Sequence, residues 1–392
     1  MFAGFGSVFI FTFGVFLKPL SATFGWNREE ISLGFAVAAL TVAGCSPFIG
    51  RLFDRYPARR ILLPCVAIYG GGFGSLSLLT PHLGHFLGVL VILGVVGNGT
   101  TQLGYARVIS AWFHASRGRA LAAVMAGSGM GSMIFPPLAQ ALISVYGWRA
   151  AYAILGGIIL LFGMPLTALF LYEPEGHHGP VASLSAEKKG SIWPLLRSRP
   201  FLLIASALLL FSLATNGLNA HLPPLLTDRG FSPEYAATIL SAVGLAALVS
   251  KLGTGYLLDR FFAARVVALL FLICTAGFLV IVYSSGIGTA CLGALLVGAA
   301  TGSESDATPY LLTRYFGLER FSELYGYTWT VYACAGALGP VVMGSMFDRT
   351  GSYHSTLLAF AAIVSVAALC FGLLPKYAAL GAGQAPARQP GA

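Results

Sequence analysis

Apolar runs of about 20 residues follow one another along almost the whole chain, each long enough to cross about 30 Å of hydrocarbon. Inside hydrocarbon every backbone N–H and C=O must find its partner within the protein, so such runs fold as membrane-spanning helices. The composition agrees. Hydrophobic residues make up 57% of the chain and charged residues 9%, where a soluble domain would carry about a quarter charged. Twelve spans are expected, over 1–23, 30–50, 61–80, 85–113, 119–144, 149–172, 200–226, 233–256, 263–284, 287–314, 325–346 and 353–375. The expected fold is an all-α membrane protein.

The chain also repeats itself. Gly50-Arg51-Leu52-Phe53-Asp54-Arg55 and Gly255-Tyr256-Leu257-Leu258-Asp259-Arg260 each close a long apolar run, 205 positions apart. Pro19-Leu20 with Gly25-Trp26-Asn27 is answered by Pro224-Leu225 with Gly230-Phe231-Ser232. Trp112-Phe113 is answered by Tyr315-Phe316, and Gly147-Trp148-Arg149 by Gly351-Ser352-Tyr353. Offsets of 203 to 205 at separate places predict two pseudo-symmetric six-helix bundles, the sequence mark of a transporter built from related halves. The bundles are expected over 1–172 and 200–375, joined by a polar cytoplasmic linker, 173–199. A disordered cytoplasmic tail is expected over 376–392, where Gly, Ala, Pro and Gln dominate.

A net charge of +9 invites a nucleic-acid partner, but the placement of the cations argues against one. With both termini in the cytoplasm, sixteen Lys and Arg fall on the inner side and four (Arg28, Arg149, Arg229, Arg349) in outer loops. That bias fixes the orientation and makes the bilayer the partner. Lys18, Arg107 and Lys251 lie within spans. All six cysteines also fall in spans without disulfide or zinc spacing, and read as buried free thiols. Met1 opens almost directly into span 1 without a basic leader, so no cleaved signal peptide is expected, and the short inner end of that span points to a start further upstream.

Gly50-Arg51-Leu52-Phe53-Asp54-Arg55-Tyr56-Pro57-Ala58-Arg59-Arg60 resembles the signature loop between spans 2 and 3 of the major facilitator superfamily, with Pro57 in place of the usual glycine. More narrowly, three stretches resemble the monocarboxylate transporter and oxalate/formate antiporter branch. They are Gly14-Val15-Phe16-Leu17-Lys18-Pro19-Leu20 with Phe24-Gly25-Trp26, Trp112-Phe113 with Arg117-Gly118-Arg119-Ala120-Leu121-Ala122, and Tyr310-Leu311 with Arg314-Tyr315-Phe316-Gly317-Leu318. The resemblance implies a twelve-helix transporter of small organic anions in the cell inner (plasma) membrane, expected as a monomer. It also implies that a cation at the position of Lys251 binds the substrate carboxylate. The branch usually has arginine there, so lysine gives up a bidentate fork for a point charge.

The residues themselves carry several readings. An ammonium amid hydrocarbon costs about 2.5–3.5 kcal/mol, so Lys251 should face water and find a negative partner. It could instead snorkel to the inner interface, or pair with Glu304 for structure. Residue 247, a turn earlier, is alanine where relatives often carry a polar or acidic side chain. Span 10 offers Glu304 and Asp306 in its place, either as proton carriers or as structural partners of Lys251, Arg107 or Arg314. Arg107 has a gating or pairing role on the same evidence. Tyr105 shares a helix face with Gln102 and could donate a hydrogen bond to a carboxylate. Asn216, Asn219 and His221 form a polar run in span 7, with Asn219 a further hydrogen-bonding candidate. His221 is a titratable group near neutral pH, though a hydrogen-bonded buried histidine is the simpler state. Trp329 and Tyr332, with Tyr325, recur at helical spacing in span 11 and could wall a cavity or simply pack. That span has no cation, and a single cation suits a monoanion better than a dianion.

Asp54, Arg55, Asp259 and Arg260 at the inner ends of spans 2 and 8 should form a conformational latch, holding the inner side shut when the protein faces outward and releasing it when it faces inward. The glycines of spans 3 and 5 (Gly70, Gly71, Gly72, Gly74, Gly127, Gly129, Gly131) read as close-packing sites and not as phosphate loops, and Pro136-Pro137 and Gly339-Pro340 as bends. No metal cluster, nucleophile triad or ATP module is visible, so no cofactor and no enzyme chemistry is expected. The best reading is a secondary active transporter of a lactate- or pyruvate-like monocarboxylate with proton symport. Its rivals are an anion exchanger of the oxalate/formate type, an exporter of hydrophobic compounds and, remotely, a non-transporting membrane sensor.

Overall fold

The structure, a computed structural model, describes residues 1–101, 105, 108, 112, 117–171, 191–317 and 320–377. Residues 173–190 of the expected linker and 378–392 of the expected tail lie outside the described residues. Among the described residues there is no strand. After a π-helical turn, Gly6–Ile10, the first half runs through α1 (Phe11–Phe24), α2 (Arg28–Arg55), α3 (Ala58–Ser75), α4 (Leu83–Gly97), α5 (Arg117–Ile158) and α6 (Met164–Phe170). After a one-turn helix, Trp193–Leu196, the second half runs through α7 (Arg199–Asp228), α8 (Pro233–Arg260), α9 (Ala263–Val282), α10 (Ile287–Phe316), α11 (Phe321–Thr350) and α12 (His354–Gly372).

Eleven helical stretches among the described residues are long and apolar enough to cross a membrane. One of them, Ala126–Leu169, is 44 residues long, about 66 Å at 1.5 Å per residue, enough for two crossings. Gly147, with φ 80° and ψ 164°, breaks it at the turn expected between spans 5 and 6. The twelve expected spans are therefore accounted for, two of them fused into one stretch.

The repeat seen in the sequence reappears in the backbone. Gly25 and Gly230, matched in sequence, both take left-handed φ (72° and 87°), and so do the matched Gly147 and Gly351 (80° and 70°). A Cβ is strained there, so glycine ends each helix arm sharply. The residues that start the next helix match too. Asn27 caps α2 through a reciprocal box with Glu30, its Oδ1 accepting from the Glu30 amide at 2.7 Å. Ser232 caps α8 by accepting from the Tyr235 amide.

Buried apolar side chains collect into two main clusters. One runs from Phe5 to Ile159 with Ala220 and Ala237, the other from Phe201 to Leu374. Glycines let the helices touch. A Cβ on Gly156 would stand 2.6 Å from the Gly74 amide, one on Gly70 2.8 Å from Leu160, and one on Gly129 2.9 Å from Leu248 of the other half. Of the glycines of spans 3 and 5, Gly70, Gly72, Gly129 and Gly131 are thus close-packing sites, whereas a Cβ on Gly71 would meet nothing within 4 Å. Within the second half α7 and α11 also touch closely, and a Cβ on Gly339 would run into the Leu213 carbonyl and stand 2.8 Å from the Gly217 amide. Gly339→Val should therefore cost about 1–3 kcal/mol. The check is thermal stability in detergent, where Gly339→Val should melt below Gly157→Val, whose Cβ would have nothing within 4 Å.

The halves meet along α2 against α11 and along α5 against α8. Burial along these helices is lopsided. On α2 the buried run is Ile31 to Ala38, on α8 Ala236 to Val243, and on α11 Ala335 to Met343. Toward the other end the same helices expose Phe48 and Leu52, Val249 and Tyr256, and Tyr327 and Trp329. The two halves are thus shut at the end that carries Gly25, Gly230 and Gly351, and splayed at the end that carries Asp54 and Asp259.

Candidate functional site

The middle level between the closed and splayed ends is set by counting along the helices. Lys251 stands 18 residues from the start of α8, Glu304 17 from the start of α10, and Tyr332 18 before the end of α11. All three counts begin at the closed end, so at about 1.5 Å per residue the three side chains share one depth.

Which way Lys251 faces follows from its neighbours. Ser250 donates to the Ala299 carbonyl at 2.5 Å, and Ser250 and Thr254 both meet the Ser303 hydroxyl, at 2.6 and 2.7 Å. Gly302 lets α10 close onto the Ala247 carbonyl. These residues mark the stripe of α8 that faces α10. Ser241, which donates to the Met133 carbonyl, Gly244 against Ser132 and Leu248 against Gly129 mark the stripe that faces α5. At about 100° per residue Lys251 falls between the two stripes, turned directly toward neither α10 nor α5. Its side chain is partly buried and makes no hydrogen bond or ion pair with a described residue.

Across from it, Glu304 is 8% exposed and its Oε1 accepts from the Thr308 hydroxyl at 3.1 Å. It lines a small pocket with Leu208, Thr308, Tyr325, Thr328, Trp329 and Tyr332. The charge of Lys251 reaches both Glu304 and Asp306. Trp329 and Tyr332 stack at 5.5 Å and 12°, and Ser212 of α7 donates to the Tyr332 backbone carbonyl at 2.7 Å. The structure therefore gathers Glu304, Trp329 and Tyr332 around one small pocket, with Lys251 at the same depth on the neighbouring α8.

Other expected residues stand apart. Asn219 is only nine residues from the closed end of α7, about two and a half turns above Lys251, and its buried Oδ1 has no partner among the described residues. Tyr105 packs within the first half against the cluster of Phe53, Leu62 and Cys65 and hydrogen-bonds Thr167. Arg107 lies outside the described residues. Asp54 and Arg55 fall in the last turn of α2, and Asp259 and Arg260 in the last turn of α8, where Arg260 donates to the Tyr256 hydroxyl at 2.6 Å. All six cysteines are free thiols, and no group of three metal-ligating side chains occurs among the described residues.

The closed end holds a network that no sequence motif announced. Asp228, at the end of α7, receives Lys18 of α1 at 2.6 Å and a two-pronged contact from Arg28 of α2 at 2.7 and 3.1 Å. Asp348, near the end of α11, accepts from the amides of Arg28 and Glu29 at 3.2 and 2.8 Å, so a carboxylate of one half caps a helix N-terminus of the other. The Arg28 guanidinium lies over the Phe347 ring at 3.6 Å and donates to the Tyr353 hydroxyl. On the second seam Ser144 of α5 donates to Glu234 of α8 at 2.9 Å. A signal was present in the sequence all the same, since Asp228-Arg229-Gly230 and Asp348-Arg349-Thr350-Gly351 both set an Asp-Arg pair just before a helix-ending glycine.

Two bundles, a cavity between them closed at one end and open at the other, and ionic contacts gathered at the closed end are the parts of an alternating-access carrier. The family model described as the Major Facilitator Superfamily matches residues 1–340 and 229–390. The chain belongs to this superfamily. Among similar proteins of the superfamily, the uncharacterised MFS-type transporter YcxA of Bacillus subtilis (strain 168) is 25% identical over 368 residues, covering 87% of this chain and 85% of that one. Monocarboxylate transporter 1 of Bos taurus is 26% identical over 421 residues, covering 93% and 81%. Monocarboxylate transporter 12-B of Danio rerio is 26% identical, covering 84% and 76%. The crystal structure of a point mutant of the nucleoside transporter NupG superposes with a TM-score of 0.76 at 15% identity, over 95% of this chain and 98% of that one, and shares the fold. The protein is a multi-pass transporter of the major facilitator superfamily.

Proposed function

We propose that this transporter carries a small monocarboxylate of the lactate or pyruvate kind by alternating access, with a proton as the symported ion. The observation that carries the reading is Lys251, a cation at the middle depth of the spans that forms no ion pair with a described residue. A buried charge needs a partner, and an incoming carboxylate supplies one. One such cation suits a monoanion. The relatives titled monocarboxylate transporters point to the same substrate class.

In this reading Lys251 holds the carboxylate while Trp329 and Tyr332 bound the size of the substrate. Asn219 would offer a hydrogen bond further toward the closed end. Glu304, shielded on α10 and close enough to respond to Lys251, takes up the symported proton, with Asp306 a second acceptor. A protonated Glu304 leaves Lys251 wholly to the substrate, and an ionised one competes for it, which links the two cargoes. Asp54, Arg55, Asp259 and Arg260 re-form contacts across the splayed end when the cavity turns round. With the cationic loops inside, the splayed end and both termini face the cytoplasm.

The test is uptake of labelled lactate into liposomes holding the purified protein, with and without an inward proton gradient. Gradient-driven accumulation that a protonophore abolishes is expected; uptake that ignores the gradient rejects symport, and none at all rejects lactate. Glu304→Gln should lose accumulation driven by the proton gradient yet keep lactate-for-lactate exchange, because the amide cannot release a proton but still fills the pocket. Loss of exchange along with accumulation would show that Glu304 serves the binding site and not the coupling.

A further inference from the structure

We propose that His221 is a proton-binding residue of the gate at the closed end, and that protonating it opens this end. The proposal rests on the alternating-access reading but not on the identity of the substrate. His221 lies on α7, fully buried, and its polar contacts are all to the closed gate. Its Nε2 stands 2.9 Å from the Pro340 carbonyl of α11 and 3.0 Å from the Ser32 hydroxyl of α2. Its Nδ1 stands 2.9 Å from the Tyr353 hydroxyl.

These partners fix the tautomer. A carbonyl only accepts, so the ring proton sits on Nε2, which donates to Pro340. Ser32 gives its own proton to the Arg28 carbonyl at 2.6 Å and can share the Nε2 proton as acceptor. Nδ1 is left with a lone pair and accepts from Tyr353, whose oxygen accepts in turn from Arg28 at 2.5 Å. The chain of donors runs Arg28, Tyr353, His221, Pro340, and it crosses between the halves at its Arg28 end.

An imidazolium does not fit this arrangement. A second ring proton on Nδ1 would meet the Tyr353 proton head-on and set a second cation beside the Arg28 guanidinium. The charged groups around the ring already balance: Arg28 on α2 and Lys18 on α1 against Asp228 on α7 and Asp348 on α11. Tyr353, between α11 and α12, is the remaining titratable neighbour, and Ser32 and Pro340 complete the shell. One more proton leaves the cluster with an uncompensated positive charge. When the halves part, Ser32 and Arg28 leave with α2, water reaches the ring, and the proton can bind.

The sign follows by linkage. The closed state holds the neutral ring and the open state accepts a proton, so acid on this side favours opening. A solvated histidine titrates near 6.5, so opening should rise about tenfold per pH unit below that, to about 30-fold by pH 5. Carboxylates titrate near 4, so Asp228 and Asp348 stay ionised across this window. Such a gate would admit substrate best where protons are most abundant.

The experiment uses the full chain in nanodiscs, without substrate, carrying Val145→Cys and Tyr235→Cys for spin labels and Cys334→Ser to remove the exposed thiol. Val145 and Tyr235 are exposed near the closed end on opposite halves. Pulsed spin-label distances are measured from pH 8 to pH 5. The long-distance fraction should grow with acid in this parent and stay constant in His221→Gln, whose amide can donate to Pro340 and accept from Tyr353 but cannot titrate. His354→Gln, at an exposed histidine beside Tyr353, should respond like the parent. No response in the parent, or a full response in His221→Gln, overturns the proposal. Tyr353→Phe gives an independent reading should His221→Gln not fold. Without the opposing hydroxyl the closed state tolerates the imidazolium, so the response should flatten, and an undiminished one overturns the proposal. Lactate uptake that ignores the proton gradient while the gate still answers to pH would sink symport and leave the gate standing.

Discussion

Lys251→Ala should weaken substrate binding about 10- to 150-fold without lowering the stability of the protein. The two halves of that expectation have separate grounds. A hydrogen bond to a charged group contributes about 1.5–3 kcal/mol, so losing the ammonium should weaken carboxylate binding about 10- to 150-fold. The protein itself has little to lose, since Lys251 makes no hydrogen bond or ion pair with a described residue. Removing a charge from the cavity wall relieves a desolvation cost, so the melting temperature should hold or rise. Lys251→Arg should keep most of the binding, because charge matters more than the fork for a single carboxylate. The measurements are lactate binding by calorimetry and melting of the same preparations. If Lys251 is a structural partner of Glu304, the result reverses: alanine lowers the melting temperature, and binding is spared in whatever protein still folds.

How much of this was legible in the sequence depended on the length scale of the signal. The helices were readable because each run must span the bilayer, and the repeat because Gly25 and Gly230, or Gly147 and Gly351, do the same backbone work in both halves. The break at Gly147 was legible in the same way, since it falls in the expected gap between spans 5 and 6, and its φ of 80° is the backbone turn that the gap requires. Lys251 and Glu304 stood out because an isolated charge in an apolar run is expensive wherever it points. That they share a depth needed the helix starts, which Ser232 and Gly286 set. Tyr105 looked equally suitable on its helix face, yet it packs inside the first half with Thr167. A periodic pattern names a face and does not say which neighbour that face meets.

The network at the closed end was the hardest to see. Arg28 read as an ordinary outer-loop cation, and Asp228 and Asp348 drew no reading, because each is unexceptional within its own segment. Their meaning comes from contacts 200 and 320 positions apart in the chain. No local pattern predicts those, although the shared Asp-Arg placement before a terminal glycine would have picked out both carboxylates.

Asp228→Asn should shift the conformational balance toward opening at that end. Asp228 receives both Lys18 and Arg28, so the amide removes two charge pairs between the halves in one step. They differ in worth. The Lys18 side chain is 38% exposed, and a pair so open to water adds little after screening, whereas the Arg28 side chain is 12% exposed and grips with two prongs. Together they contribute about 1–2 kcal/mol to closure, and their loss should favour the open state about 5- to 30-fold. Ala36, buried on α2 just below the network, reports on this directly. In an Ala36→Cys protein, a membrane-impermeant maleimide added at the closed end should react slowly in the parent and about 5- to 30-fold faster with Asp228→Asn. Arg28→Met should approach the same rate and Lys18→Met should fall well short of it. Equal, small effects from all three would mean that the capping of α2 by Asp348 and the apolar contact of α2 with α11 hold this end shut without help from Asp228.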